Sequence, residues 1–180
     1  LLSRLPLEAT IGVNIPLVVA AGVVAYHETK FRELSSYDDV TEVLRVLART
    51  NLVLGVISNG ITLKQMEKLI RLRVHRYIDP AAIFISDNVG VAKPNPKLYR
   101  RALDRAGIAP GEALYVGDHP INDVDAAKEA GMVTVWNRRE GKHVEAQGRL
   151  VPDHVIFNFW DLLELVENRM GVSLPLEVEP

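Results

Sequence analysis

Hydrophobic and polar positions along the chain alternate between two periods. Short continuous apolar runs are separated by segments in which apolar residues recur every three or four positions. The first pattern is typical of parallel strands covered on both faces, and the second of amphipathic helices. The predicted strands are 52–57, 82–85, 113–116, 132–136 and 155–157. The predicted helices are 39–49, 62–73, 96–106, 123–130 and 160–170.

Several helix boundaries carry residues that favour helix ends. Asp38 and Asp39 place negative charge at the positive end of a helix dipole, and Pro96 and Gly107 bracket a later helix. A regular alternation of strands and helices indicates βαβ units. We therefore predict an α/β fold, a Rossmann-like parallel sheet with helices on both faces.

The longest apolar stretch, Ile15 to Tyr26, has 12 residues, whereas spanning a bilayer takes about 20. We predict that it forms a buried helix or strand and not a membrane anchor. The 21 basic and 23 acidic residues give a net charge of −2, which predicts no broad electrostatic field for nucleic acid or anionic lipid. Neither a nucleic acid nor a membrane is therefore expected as a partner, and the pattern predicts no particular oligomeric state.

The composition narrows the chemistry further. The 180 residues are 48% hydrophobic and 24% charged, as in an ordinary globular domain. The absence of cysteine excludes a disulfide scaffold, a thiolate zinc site and a cysteine nucleophile, which leaves oxygen and nitrogen ligands for any metal. The opening residues Leu1 to Arg4 lack the layout of a signal peptide, and we predict a cytoplasmic protein.

Polar side chains follow the apolar strands at the points where a parallel sheet binds its ligands. Ser58 and Asn59 end the first strand, Lys93 precedes the third core helix, and Asp118 and Asp123 follow a later strand. The two carboxylates can hold Mg²⁺. The lysine can neutralise a phosphoryl group, and the serine hydroxyl can bind one of its oxygens. Together these residues indicate a site for a phosphate and a divalent cation.

Three of these residues also have a purely structural interpretation. Ser58 and Asp123 can cap the helices that follow them, and Lys93 can be a surface lysine in a turn. The five histidines share no ligand spacing, and we predict that His119 is a solvated loop residue. The functional interpretation therefore depends on the order and spacing of the residues taken together.

That order resembles three motifs of the haloacid dehalogenase superfamily of hydrolases. The motifs are an apolar strand ending in Ser58, Lys93 within KPNP, and Gly117-Asp118 followed after four residues by Asp123. The similarity runs from about residue 26 to residue 142. The stretches VISNG, VGVAKPNPKLYRRAL and ALYVGDHPINDVDAAKEAGMVTVW look closest to small prokaryotic, notably archaeal, phosphatases of the glyceraldehyde 3-phosphate phosphatase type.

The resemblance implies a Mg²⁺-dependent phosphatase that hydrolyses a small phosphorylated metabolite through an aspartyl-phosphate. In the implied site Lys93 and Asp118 are catalytic, and Ser58, Asn59 and Lys93 bind the substrate. Asp118 and Asp123 hold the Mg²⁺, with Asp123 acting directly or through water.

One motif of that family does not occur in the chain. The first motif, hhhDxDx[TV], supplies the nucleophile and the general acid/base, and its strand lies between the two strands that end at Ser58 and Asp118. We therefore expect a slot in the middle of the sheet with two unpaired edges, a nucleophile outside these 180 residues, and an inactive, poorly soluble fragment. The expected organisation is the last part of a helical cap at 1–34, an α/β core without its first strand at 35–171, and a tail at 172–180.

Two alternatives to the phosphatase stay open at this point. A 2-haloacid dehalogenase of the same superfamily typically lacks the acid found here at Asp118. A non-catalytic receiver-like domain also combines acids, a hydroxyl and a lysine, but it places its acids first and its lysine last, whereas here Lys93 comes first. A catalytically dead truncated domain is a variant of the second alternative.

Overall fold

The computed structural model describes residues 14–141, 143 and 145–175. In it, helices and strands alternate as the apolar pattern predicts. The strands are β1 (Val56–Ser58), β2 (Ile83–Ile85), β3 (Leu114–Gly117), β4 (Val133–Asn137) and β5 (His154–Ile156). The helices are α1 (Ile15–Arg32), α2 (Asp38–Leu47), α3 (Thr62–Arg71), α4 (Ser86–Val89), α5 (Pro96–Ala106), α6 (Ala126–Glu129) and α7 (Phe159–Met170). The chain divides into two compact units, Leu1–Ser35 and Ser36–Pro180.

Most elements lie within two residues of the predicted boundaries, and two differ more. β1 begins only at Val56, because only three residues, 56–58, pair with β2. Before them, the Leu54 carbonyl accepts a hydrogen bond from the Asp79 backbone N–H, which lies outside β2. The predicted helix 123–130 begins as a π-helical turn, Pro120–Asp125, before α6. In that turn the His119 carbonyl accepts hydrogen bonds from the backbone N–H groups both four and five residues later.

All strand pairs in the described part of the chain are parallel, but they form two sheets. One sheet has the order β1-β2 and the other β3-β4-β5. The predicted parallel α/β class is therefore confirmed, and the sheet divides between β1 and β3. Within the described residues each of these two strands pairs with a neighbour on one side only.

Alternate residues of β3 point to opposite faces, as strand geometry requires. Leu114 and Val116 pack in a cluster whose buried residues on α2 and α7 are Val43, Leu47, Leu162 and Val166. Tyr115 packs in a second cluster whose buried residues on α5 and α6 are Leu98, Tyr99, Ala102, Leu103, Ala126 and Ala127. Helices thus cover both faces of the β3 sheet, as predicted.

The first apolar stretch forms α1, but the prediction that it is buried is wrong for the described residues. Leu17 is 67% exposed and Tyr26 is 63% exposed. Apolar residues surround the axis of α1 instead of forming one stripe, and the described part of this unit contains no second element against which they could be buried. No helix in the described ranges is long and apolar enough to cross a membrane.

Asp153 fastens β4 to the segment before β5. Its carboxylate accepts hydrogen bonds from the backbone N–H of Thr134 at 2.9 Å, the Thr134 hydroxyl at 2.7 Å and the Lys128 ammonium at 2.7 Å. Burial by itself raises the pKa of Asp153, but the hydrogen bonds from Lys128 and Thr134 outweigh it and lower the pKa to about 2. The ionised form is therefore the one that stabilises this junction.

We expect Asp153→Asn to lower the free energy of unfolding by about 1 kcal/mol at pH 7, a modest value because the ion pair is partly exposed. A carboxyl whose folded pKa is depressed stabilises the fold above its unfolded value and loses that contribution as the pH falls. The difference between the variant and the parent should therefore shrink between pH 4 and pH 2. Urea unfolding across this range measures it.

Asp104→Asn is the matched control, because Asp104 is exposed on α5 and its carboxylate has no partner among the described residues. It should leave the unfolding free energy within about 0.5 kcal/mol of the parent. A pH-independent effect of Asp153→Asn would contradict the assignment of the stabilisation to the carboxylate.

Candidate active site

The turn after β1 is held in place by side chains of α4. The backbone N–H of Gly60 donates to the Ser86 hydroxyl at 3.0 Å, and the backbone N–H and hydroxyl of Thr62 each donate to Asp87 at 3.0 Å. Gly60 has a φ of 135°, and a Cβ there would lie 2.5 Å from the Gln65 amide nitrogen. The turn therefore requires glycine, and it fixes the residues at the end of β1.

Asn59 contacts the backbone of Lys93 through both ends of its amide. Its Nδ2 donates to the Lys93 carbonyl at 3.1 Å, and its Oδ1 accepts from the Lys93 backbone N–H at 2.8 Å. This reciprocal pair joins the end of β1 to the loop before α5. The structure thus brings two predicted site residues together, and it uses the side-chain amide of Asn59 in contacts within the protein.

The side chain of Lys93 ends in a buried ion pair. Its ammonium donates to Asp123 Oδ1 at 2.6 Å and to the Tyr115 hydroxyl at 2.8 Å. The side chains of Lys93 and Asp123 are 14% and 6% exposed. Among the described residues, no acceptor takes the third N–H of the ammonium, so that N–H can serve a bound anion.

Both carboxylate oxygens of Asp123 have protein donors. Oδ1 accepts from Lys93 and Tyr115, and Oδ2 accepts from the backbone N–H of His119 at 3.0 Å. Gly117 makes this position possible, because a Cβ there would lie 2.3 Å from the Cβ of Asp123. The glycine that ends β3 is therefore required by the close approach of the π-helical turn.

His119 is not the solvated loop residue that we predicted. Its Nδ1 accepts hydrogen bonds from the backbone N–H groups of Ile121 and Asn122, each at 3.2 Å, and so caps the π-helical turn. This contact needs an unprotonated Nδ1. The ring of His119 lies 4.4 Å from that of His143, measured between centroids.

Asp118 differs from Asp123 in being exposed, and its carboxylate has no hydrogen-bond partner within the described part of the chain. Its backbone is fixed, because its carbonyl accepts from the Trp136 indole N–H at 3.1 Å. A cavity of about 360 Å³ opens beside Asp118 at the ends of β3 and β4. Its other polar lining residues are Tyr37, Asn137, Arg139, Glu140 and His143.

Ser58 lies at the end of β1, as predicted, and its hydroxyl makes only long contacts. Its single proton faces Gln65 Oε1 at 3.4 Å and the Asn59 carbonyl at 3.5 Å. Hydrogen bonds of this length are weak, so the hydroxyl can turn towards a ligand.

Tyr115 is the site residue that sequence reasoning missed. Burial raises the pKa of Tyr115 well above its ordinary value, and the negative charge of Asp123 raises it further. The phenol therefore stays protonated at neutral pH. The available signal was a hydroxyl-bearing aromatic residue within an otherwise aliphatic strand, two positions before a glycine on the same face.

The donor set fits Mg²⁺ with few protein ligands. The described ranges hold no group of three or more histidine, cysteine, aspartate or glutamate side chains that could bind a metal ion. Mg²⁺ is commonly held by one or two carboxylates together with waters and a phosphate. The unengaged carboxylate of Asp118 fits a direct ligand, whereas Asp123 is already occupied by protein donors.

A family model for haloacid dehalogenase-like hydrolases matches residues 13–137. The chain belongs to this family. The resemblance predicted from the motif order is thus confirmed, and membership argues against the receiver-like alternative.

Individual relatives agree with this assignment. The chain is 45% identical over 154 residues to a glyceraldehyde 3-phosphate phosphatase of Methanopyrus kandleri, a match that covers 84% of this chain and 65% of the relative. A crystal structure of a phosphatase of this family from Thermococcus onnurineus superposes with a TM-score of 0.64 at 32% identity, covering 72% of this chain and 57% of that one. A 2-haloacid dehalogenase from Pseudomonas syringae superposes with a TM-score of 0.62 at 32% identity, covering 73% and 53%. The chain thus spans less than two thirds of the length of these relatives.

We expect Gly117→Ala to lower the free energy of unfolding by about 2 kcal/mol or more, because the new methyl group would overlap the Asp123 side chain. Guanidinium unfolding of the variant and the parent measures the loss.

Gly111→Ala is the control, since nothing lies within 4 Å of a Cβ at Gly111. Its unfolding free energy should stay within about 0.5 kcal/mol of the parent value. Equal stability of Gly117→Ala and the parent would show that the close approach of Asp123 to β3 is wrong.

Proposed function

We propose that the protein containing this chain is a Mg²⁺-dependent phosphatase that hydrolyses small phosphate monoesters. The observation that carries the proposal is a cation, Lys93, and an unengaged carboxylate, Asp118, at the carboxyl ends of the strands. Lys93 bonds to Asp123, which in turn bonds to the backbone N–H of His119, the residue next to Asp118. This pairing suits a phosphate dianion held together with a divalent cation.

Each predicted residue has a role that its contacts support. The unused N–H of Lys93 binds a phosphoryl oxygen and neutralises its charge, and the Ser58 hydroxyl donates to a second oxygen. Asn59 supports substrate binding by holding the backbone of Lys93. Asp118 would hold Mg²⁺, with Asp123 supporting it through the hydrogen-bond network or a water. When bound, Mg²⁺ would polarise the phosphoryl group and help to neutralise it.

The nucleophile in this proposal is an aspartate outside these 180 residues, carried on a strand between β1 and β3. The division of the sheet supports this, since each of the two strands pairs on one side only among the described residues. Polar backbone groups at such an edge need partners. The aspartate carboxylate would attack phosphorus as the P–O bond to the alcohol breaks, and the general acid of the family's first motif would protonate the leaving oxygen. Water would then cleave the aspartyl-phosphate, which releases inorganic phosphate and restores the aspartate.

The organisation of the chain follows from the same proposal. Residues 35–171 form the α/β core without this strand, 1–34 belong to a helical cap and 172–180 form a tail. Residues 1–13 of the cap and 176–180 of the tail lie outside the described residues. The relative from Methanopyrus kandleri is named for glyceraldehyde 3-phosphate, and we propose a phosphorylated metabolite of similar size as the substrate. A cytoplasmic location stays a prediction.

The complete gene product should hydrolyse p-nitrophenyl phosphate in the presence of Mg²⁺ and lose this activity in EDTA. Asp118→Asn should lower kcat by about a hundredfold or more, because it removes the direct metal ligand. Steady-state kinetics, with and without added Mg²⁺, measure both effects. The 180-residue chain alone should be inactive.

Asp104→Asn, remote from the site, should retain the parent kcat. Full activity in EDTA, or full activity of Asp118→Asn, would contradict the phosphatase as proposed. Chloride release from 2-chloropropionate without any phosphatase activity would favour the dehalogenase instead.

Hydrogen exchange tests the proposed strand independently of activity. Backbone amides of β1 and β3 should exchange faster in the 180-residue chain than in the complete gene product, because the added strand protects them. Amides of β4, which pairs with β3 and β5 on its two sides, should lose less protection than those of β1 and β3. Equal protection of β1 and β3 in the two proteins would argue against a strand inserted between them.

A further inference from the structure

Tyr115 reaches the site from the middle of β3, although none of the three motifs includes it. Its hydroxyl contacts Lys93 in the loop before α5, Asp123 in the π-helical turn and the carbonyl of Ile57 in β1. One phenol group therefore joins three chain segments and both sheets.

The hydrogen bonds of this hydroxyl have defined directions. Lys93 donates to it at 2.8 Å, which uses an oxygen lone pair. The single phenol proton faces Asp123 Oδ1 at 3.1 Å and the Ile57 carbonyl at 3.4 Å. The shorter contact makes Asp123 the principal acceptor. The hydroxyl thus receives from the cation of the ion pair and donates to its anion.

The ring that carries this hydroxyl is itself held in place. Tyr99 packs edge-on against it, with ring centroids 4.9 Å apart and planes at 86°. The Tyr99 hydroxyl donates to the Asn122 carbonyl at 2.7 Å, which anchors the second ring to the π-helical turn. Two aromatic rings in this arrangement restrict the phenol to one position.

A lysine ammonium with a single partner can rotate on its flexible four-carbon stem. Two fixed acceptors, Asp123 and Tyr115, orient two of its three N–H groups and thereby fix the direction of the third. We propose that Tyr115 is a positioning residue that aims the free N–H of Lys93 at the substrate phosphoryl group, an inference that rests on the proposed function. The competing role is a structural one, in which the hydroxyl only links β3 to β1 through Ile57.

Tyr115→Phe in the complete gene product separates these roles, because it keeps the ring and removes the hydroxyl. Thr134→Val is the matched control. Thr134 pairs with Tyr115 in the β3-β4 register, is fully buried and uses its hydroxyl on Asp153 instead of Lys93. Both variants lose one buried hydroxyl from neighbouring positions of the same sheet.

We expect Tyr115→Phe to lower kcat by roughly tenfold to a hundredfold while KM changes by less than about threefold. Thr134→Val should keep kcat and KM within about twofold, even though both variants unfold at lower temperature. A kcat for Tyr115→Phe within twofold of the parent, or an equal loss in Thr134→Val, would overturn the proposal.

A second measurement does not depend on turnover. The ¹H–¹⁵N signal of the Lys93 ammonium, assigned with Lys93→Met, should be protected from exchange in the parent and in Thr134→Val but broadened in Tyr115→Phe. An unchanged signal in Tyr115→Phe would overturn the positioning role. If the parent hydrolyses no phosphate ester, the proposed function fails, and this signal still decides whether Tyr115 orients Lys93.

Discussion

The buried ion pair between Lys93 and Asp123 is the interaction on which the candidate site depends. Removing two charges from water is costly, and their attraction compensates only when the remaining polar atoms also find partners. Tyr115 and the backbone N–H of His119 supply those partners here. Loss of one member of such a pair typically costs about 3–5 kcal/mol, because the other charge is left buried and unpaired.

The same pair explains several local features that otherwise look unrelated. Asp123 can approach β3 only because Gly117 has no side chain. Asp123 lies in the π-helical turn, and its carboxylate faces back towards His119 and accepts a hydrogen bond from the His119 backbone N–H. Asn59 binds the backbone of Lys93 and thereby sets where its side chain begins. The ion pair is thus held by two chain segments, the end of β1 and the stretch from Gly117 to Asp123.

The sequence alone predicts those parts of the structure that depend on the local pattern of apolar and helix-end residues. Strand and helix order, the parallel pairing, the start of a helix within one residue of Asp38 and the start at Pro96 follow from apolar spacing, from acidic residues in a first helical turn and from proline. The strand ends that carry Ser58 and Asp118 follow from where the apolar runs stop. These features depend on residues close together in the chain, and their boundaries shift by only a few positions.

Contacts between distant segments were beyond that reasoning. The tyrosine hydroxyl bonds to groups 58 and 22 residues earlier in the chain, and no periodicity relates those positions. The capping role of His119 does not follow from the sequence, because it depends on a π-helical turn, which has no simple sequence signature. The exposure of α1 was missed because an apolar run indicates burial only where a second surface is available.

The division of the sheet and the position of the site have a common origin in the topology. β2, the next strand along the chain, pairs with β1 in one sheet. β4 and β5, which follow β3, extend the other sheet. In parallel α/β proteins a ligand binds at the carboxyl ends of the strands, where the direction of chain progression reverses. The residues that meet at this point are Asn59, Lys93, Tyr115 and Asp123. Asp118 follows β3 directly and precedes His119, whose backbone N–H donates to Asp123. The Tyr115 hydroxyl accepts from Lys93 and also faces the Ile57 carbonyl across the division, so one phenol contacts both sheets at the site.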